Sequence, residues 1–216
     1  MVAFVTALPG LVLGLSLVTS PSPAPDLPDG FVKLVATFLA ALGPAALVVY
    51  LLWRAGEVHA AGFGKVAPWS FLWQTALALV SFFAAQLAVG IVVVVFTTLF
   101  TGNPPSAPDV SAPALTPLYV LTGVALSIAA GFGEEFVFRA YAITRMEDAG
   151  WPRLAIWVPN AVWALLHLYQ GWRGPLVLFV MAIPWVFLFR WKRSVWPLVA
   201  AHAGYDVLVF LVFSPG

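Results

Sequence analysis

Six ionisable side chains lie within stretches of sequence that are otherwise almost wholly apolar. A charged side chain at the centre of a bilayer costs on the order of 3 kcal/mol on insertion scales, so such residues need polar partners or water. The six are Glu134, Glu135, Arg139, His167, His202 and Asp206. Together they are the candidate site residues of this chain.

The spacing of these residues predicts how they pair. Glu135 and Arg139 are four residues apart with the acid first, the better order for an ion pair on one helix face. His202 and Asp206 also share a face, so the carboxylate could orient the imidazole or join it around a ligand. Glu134 is turned by about 100° from Glu135 on a helix and can face a different neighbour.

Two histidines and a carboxylate suit the activation of a water molecule. Glu134 could take the proton, with His167 holding the water or sharing the base role. His202 could then donate to the oxyanion of a tetrahedral intermediate. The chain has no cysteine, and no serine stands beside an evident base, so a covalent acyl-enzyme is disfavoured. Hydrolysis of an amide by directly activated water is the economical interpretation.

A divalent metal such as zinc is an open alternative. Glu134, His167 and His202 could supply three ligands and leave a fourth position for water. The His-Glu-x-x-His helix of many zinc proteases is absent, so the sequence does not require a metal.

The composition places these residues in a membrane protein. The 216 residues are 62% hydrophobic and 9% charged, whereas a soluble domain carries about a quarter charged residues. Lipid must therefore solvate most of the surface, which predicts an all-α, polytopic transmembrane helix bundle. The net charge of +1 does not indicate binding to nucleic acid.

About seven spans are predicted, with six or eight as alternatives. A hydrocarbon core of roughly 30 Å needs about 20 apolar residues in a helix. The third span is expected to combine one tilted helix with an interfacial piece, and the sixth is short and contains Pro184. The seven stretches are Met1 to Thr19 (interpreted as a retained span), Leu34 to Trp53, a part of Val66 to Phe100, Leu118 to Ile143, Leu154 to Tyr169, Leu176 to Phe189, and Val195 to Phe213.

Basic residues predict the orientation of the bundle. With a cytoplasmic N-terminus and an external C-terminus, the external loops hold only Lys33 and Arg173, and Arg139 lies within a span. The cytoplasmic loops hold Arg54, Lys65, Arg145, Arg153, Arg190, Lys192 and Arg193. This asymmetry follows the positive-inside rule.

The predicted depths of the polar residues favour one shared site. At 1.5 Å per residue from the cytoplasmic loops, Glu134 lies roughly 16 Å deep and His167 roughly 21 Å deep. His202 and Asp206 lie roughly 13 to 19 Å deep on the same basis. Each feature alone also has a structural interpretation: the Glu135–Arg139 pair could stabilise the bundle, and His167 could bond a neighbouring helix. Convergence of all six side chains at one depth favours a functional site over a purely structural role.

The tryptophans in the second half of the chain are predicted to serve mostly in packing. Trp151, Trp157, Trp163 and Trp172 recur along one stretch. Indole rings favour the headgroup boundary and the interior of bundles. We interpret this stripe mostly as packing and interface.

Three ordered patterns resemble the signatures of the CPBP family, the CAAX-protease and bacteriocin-processing intramembrane proteases related to type II CAAX prenyl endopeptidases. Residues 134–139 read Glu-Glu-Phe-Val-Phe-Arg, followed by Ala-Tyr. Trp163 stands four residues before His167, where the family usually has phenylalanine. His202-Ala-Gly-Tyr-Asp206 matches a His-x-x-x-Asn or Asp pattern. The patterns lie on separate hydrophobic segments.

The resemblance implies a multi-pass endopeptidase that cuts a membrane-associated protein or peptide. It implies that Glu134 and His167 activate water, supported by Glu135 and Arg139, and that His202 and position 206 stabilise the oxyanion. An ionised Asp206 would repel an oxyanion, so it must be protonated, orient His202 or bind a metal. The implied catalytic core is 118–213 of a single membrane domain, 1–216, and residues 1–117 carry no signature.

Two other functions use the same residues. A non-catalytic immunity or scaffold protein could keep the motifs as a structural polar network. A proton-coupled carrier could use them as a relay, although no internal repeat of the kind common in transporters is evident.

Overall fold

The computed structural model describes residues 27–103, 116–168 and 173–212. Every regular element in these ranges is helical. The α-helices are α1 (Leu27–Ala55), α2 (Pro68–Thr101), α3 (Pro117–Glu134), α4 (Thr144–Asp148), α5 (Leu154–Leu165), α6 (Arg173–Met181), α7 (Ile183–Lys192) and α8 (Trp196–Val212), with π-helical segments at His59–Phe63 and Glu135–Ile143. The predicted all-α transmembrane bundle is confirmed.

Four helical stretches of the described chain are long and apolar enough to cross a membrane. They are Val35–Ala55, Pro68–Thr101, Val120–Asp148 and Gly174–Lys192, and two shorter apolar helices cover Leu154–Leu165 and Trp196–Leu211. These stretches correspond to six of the seven predicted spans. The predicted span Met1 to Thr19 lies outside the described residues.

The third predicted span differs from expectation. In place of a helix plus an interfacial piece, α2 runs unbroken for 34 residues. No proline follows Pro68 in this run, so nothing interrupts the backbone hydrogen bonds. At 1.5 Å per residue the helix is about 51 Å long, well beyond a hydrocarbon core of roughly 30 Å.

The fifth and sixth predicted spans are also corrected. Helix α5 ends at Leu165 because the next two backbone amides bond back to carbonyls three residues earlier, with His167 N 3.0 Å from Ala164 O. The sixth span is longer than predicted and is broken at Ala182, with Pro184 in the first turn of α7, where a missing amide hydrogen costs no helical bond.

Two glycines bring α3 into close contact with its neighbours. A Cβ atom at Gly131 would lie 3.0 Å from the carbonyl oxygen of Val199 in α8. A Cβ atom at Gly133 would come within 3.0 Å of the carbonyl oxygen of Ala41 in α1. Small residues permit such close backbone packing between membrane helices. The C-terminal end of α3 is thereby fixed between α1 and α8.

Ion pairs join three connections at one end of the bundle. Glu57, after α1, contacts Arg145 of α4. Glu147, also in α4, contacts Arg190 at 2.6 Å and also contacts Arg193. These connections are three of those predicted to be cytoplasmic, and they lie at the same end of the structure.

Candidate active site

The two glutamates of the first signature stand where α3 passes into the π-helix Glu135–Ile143. Glu134 is the last residue of α3 and Glu135 is the first of the π-helical segment. All nine residues of that segment are buried. π-helical turns inside α-helices occur frequently at functional sites. The Gly131 contact brings this junction against α8, and the Gly133 contact brings it against α1.

The imidazole of His202 lies between these two carboxylates. Its Nδ1 atom is 2.8 Å from Oε1 of Glu135. Its Nε2 atom is 3.7 Å from Oε2 of Glu134. The indole of Trp185 packs beside the ring, with centroids 5.4 Å apart. Residues from α3, the π-helix and α8 therefore meet at one ring.

Asp206 approaches the same imidazole from one helical turn further along α8. Its Oδ2 atom is 3.6 Å from Nε2 of His202. Glu134 and Asp206 therefore both face Nε2, and Glu135 alone faces Nδ1. The predicted shared face of His202 and Asp206 is present.

The two sides of the His202 ring differ in accessibility. The Glu135 side chain is fully buried, whereas the side chains of Glu134 and Asp206 are 23% and 32% exposed. Among the described residues, the carboxylates on the Nε2 side are therefore partly exposed and the one on the Nδ1 side is buried.

The predicted ion pair between Glu135 and Arg139 is also present. Arg139 Nε lies 3.3 Å from Glu135 Oε2, and both side chains are almost completely buried. Glu135 thus uses one oxygen for the guanidinium and the other for His202. A buried pair of this kind depends on each partner, because removing one leaves an uncompensated charge.

Trp163 contacts several members of the cluster. Its Nε1–H donates to Oε2 of Glu134. The guanidinium of Arg139 lies over the indole ring, 4.6 Å from its centroid. The ring centroid is 6.2 Å from that of His202, in an edge-on arrangement. The sequence pattern predicted mostly packing for Trp163 and did not predict this hydrogen bond. The position of Trp163 four residues before His167, within the second signature, was the signal that could have indicated it.

His167 lies at the edge of the cluster. It follows the end of α5 and does not stand within a membrane-spanning helix as predicted. Its Nδ1 atom is 3.1 Å from the Trp163 carbonyl oxygen, and the two rings are 5.0 Å apart. His167 contacts the cluster at Trp163 and lies near enough to Asp206 to interact with it electrostatically, whereas His202 contacts both glutamates directly.

The candidate metal ligands do not form a ligand set in this arrangement. Within the described ranges, no group of three or more histidine and acidic side chains is placed to hold a metal ion. Glu134 has its Oε2 atom committed to the Trp163 indole, and His167 has its Nδ1 atom at a backbone carbonyl. Glu134, His167 and His202 thus do not fit a common metal here.

Comparison with known proteins agrees with the three signatures. Residues 116–208, a little under half of the chain, match the family model described as type II CAAX prenyl endopeptidase Rce1-like. Neither the curated proteins nor the solved structures give a match to the chain. The matched range contains all six candidate site residues. The match thus agrees with the resemblance of the three signatures to the CPBP family.

Proposed function

We propose that this protein is an intramembrane endopeptidase that hydrolyses a peptide bond of a membrane-associated protein or peptide, with Glu134 as the base that activates water. One observation carries the proposal. Glu134 is the accessible member of the glutamate pair, and its carboxylate lies 3.7 Å from His202 Nε2. A general base has to be reachable by water and close to the group that stabilises the resulting charge.

The reaction follows from that placement. Glu134 accepts a proton from water as the water oxygen bonds to the scissile carbonyl carbon, and the carbonyl electron pair moves onto oxygen. A proton on His202 Nε2 stabilises this oxyanion. The protonated Glu134 then gives its proton to the amide nitrogen as the C–N bond breaks, which yields a carboxylic acid and an amine.

Glu135 supports this role of His202. Its carboxylate at Nδ1 fixes the ring and retains the proton on that nitrogen, as carboxylates do for histidines in many active sites. Donation from Nε2 then requires the imidazolium form. Asp206, at 3.6 Å from Nε2, is placed to orient the ring. Its carboxylate has to be protonated if it faces the oxyanion itself.

His167 has a more remote place in the proposal. Resemblance implies that it shares water activation with Glu134, and its ring packs against Trp163, which donates to Glu134. A water held between His167 and the free oxygen of Glu134 would satisfy that role. We infer that His167 contributes to water placement.

The test is cleavage by purified protein in lipid nanodiscs. The probes are an internally quenched peptide ending in a farnesylated CAAX sequence and the same peptide without the lipid. Glu134→Gln should lower kcat by about 10²- to 10⁴-fold while the protein inserts and unfolds at the wild-type temperature. Asp148→Asn, at a side chain that is 60% exposed and pairs with Arg145 outside the cluster, is the matched control and should cleave normally.

The alternatives give different results. A scaffold or immunity protein would cleave neither probe and would keep its biological effect in the Glu134→Gln variant. A proton-coupled carrier would show substrate-dependent proton flux in liposomes. Undiminished cleavage by Glu134→Gln would contradict the proposed mechanism.

A further inference from the structure

The indole of Trp163 is the nearest donor to the proposed base. The side chain is 2% exposed, and its Nε1–H donates to Oε2 of Glu134. Indole has one hydrogen-bond donor and no acceptor, so Trp163 can only be the donor in this contact. A buried tryptophan N–H usually finds a hydrogen-bond partner. Here that partner is the carboxylate proposed to take the proton from water.

The face of the same ring is occupied by the cation of the cluster. Arg139 lies 4.6 Å from the ring centroid, a distance at which a cation is attracted to an aromatic face. Its Nε atom faces Glu135 at 3.3 Å. Arginine binds carboxylates strongly and often through two nitrogens, so a free guanidinium could also pair with Glu134. Stacking on Trp163 keeps it beside Glu135.

We propose that Trp163 is a positioning residue that gives the two adjacent glutamates their different roles. Its edge holds one oxygen of Glu134 and leaves Oε1 to receive the proton of water, while its face holds Arg139 on Glu135. This inference rests on the proposed function and adds to it the device that selects Glu134 as the base.

Phenylalanine is the informative substitution, because it keeps an aromatic face for Arg139 while removing the donor together with part of the ring volume. It is also the residue that the resembled signature usually has at this position. If Trp163 acts by holding Glu134, its loss should lower the rate of the chemical step and not the affinity for substrate. A misplacement of about 1 Å in a catalytic group can cost about 10²-fold in rate.

The kinetic test uses the farnesylated quenched peptide with wild-type protein and Trp163→Phe in nanodiscs. We expect kcat to fall by about 10- to 100-fold with KM within about twofold. Trp157→Phe is the matched control, since Trp157 is on the same helix, is 44% exposed and packs against Phe179. It should leave both constants unchanged. An unchanged kcat in Trp163→Phe would overturn the proposal.

A second test needs neither activity nor a folded Trp163→Phe protein. The chain has ten tryptophans, whose indole N–H signals can be observed by NMR after ¹⁵N-tryptophan labelling. Glu134→Ala removes the acceptor, so one indole signal should shift upfield and exchange faster with solvent. Asp148→Asn should not reproduce this change. Indole signals that are all unaffected by Glu134→Ala would overturn the inference, whether or not the protein cleaves either peptide.

Discussion

Oε1 of Glu135 lies 2.8 Å from Nδ1 of His202, in a part of the bundle that is closed to solvent. The other nitrogen of the same ring faces Glu134 and Asp206, which are partly exposed. The His202 imidazole thus lies between the buried carboxylate of Glu135 and the partly exposed carboxylates of Glu134 and Asp206. In many enzymes a buried carboxylate orients a histidine in this way while the far nitrogen meets the substrate.

Glu135→Gln should therefore impair turnover without affecting binding. Glutamine keeps an oxygen that can accept from Nδ1–H but lacks the charge that stabilises a protonated His202. We expect kcat to fall by about 10- to 100-fold with little change in KM, the usual cost of removing a partner that orients a histidine. Steady-state kinetics on the farnesylated peptide measure this. Wild-type kcat in Glu135→Gln would contradict the assigned role.

Arg139→Met tests the buried ion pair. It leaves the Glu135 carboxylate buried without its cation, which costs about 3–5 kcal/mol for pairs of this kind. The double variant Glu135→Gln with Arg139→Met should recover part of that loss, because the Glu135 charge left without its arginine is removed as well. The measurement is the unfolding transition in detergent, followed by intrinsic fluorescence.

Arg145→Met provides the control for this pair. Arg145 contacts Glu57, and both side chains are partly exposed, so the loss should be at most about 1 kcal/mol. Equal destabilisation by Arg139→Met and Arg145→Met would show that the buried ion pair contributes no more to the free energy of unfolding than the exposed one.

Single cysteines can test the predicted orientation, because the native chain has none. Lys65 and Asn103 flank the two ends of α2, and both are exposed. With a cytoplasmic N-terminus, Lys65→Cys should be protected from an impermeant maleimide in intact cells, and Asn103→Cys should react. Both should react after the membrane is permeabilised. The reverse pattern would contradict the orientation derived from the basic loops.

Local contacts within the cluster could be predicted from the sequence more readily than the ends of the helices that hold it. Four-residue spacing correctly anticipated the contacts of Glu135 with Arg139 and of His202 with Asp206, because these depend only on local helical geometry. Spacing could not show that His202 would lie between two adjacent glutamates. That relationship requires α8 to pack against the end of α3, and it depends on long-range contacts.

Two predictions about α5, its C-terminal end and the role of Trp163, could not be made correctly from residue type alone. Hydrophobicity continues past Leu165, so composition alone extended the span to Tyr169, whereas the helix ends where its amides turn to nearer carbonyls. Trp163 has an apolar body and one donor, so a sequence pattern does not distinguish packing from hydrogen bonding. Only the position of Glu134 against the indole edge makes that distinction.

The close contact of Gly133 with Ala41 gives a prediction about how α1 supports the site. A Cβ atom at Gly133 would come within 3.0 Å of a backbone carbonyl, and a backbone cannot move aside as a flexible side chain can. Gly133→Ala should therefore push α3 away from α1, with a cost of about 1–3 kcal/mol in stability. It should also lower kcat, because Glu134 is the next residue.

A glycine with open space around it provides the matched control for this effect. Gly43 in α1 precedes Pro44, and a Cβ at that position is disfavoured in a helix, so the control is made at Gly90 of α2, where a Cβ atom would also meet nothing within 4 Å. Alanine favours a helix over glycine by up to about 1 kcal/mol, so Gly90→Ala should unfold at the wild-type temperature or above it. Unfolding midpoints and kcat for the two variants separate a steric effect at α3 from a general effect of replacing glycine. If both variants behave alike, the contact with α1 does not position Glu134.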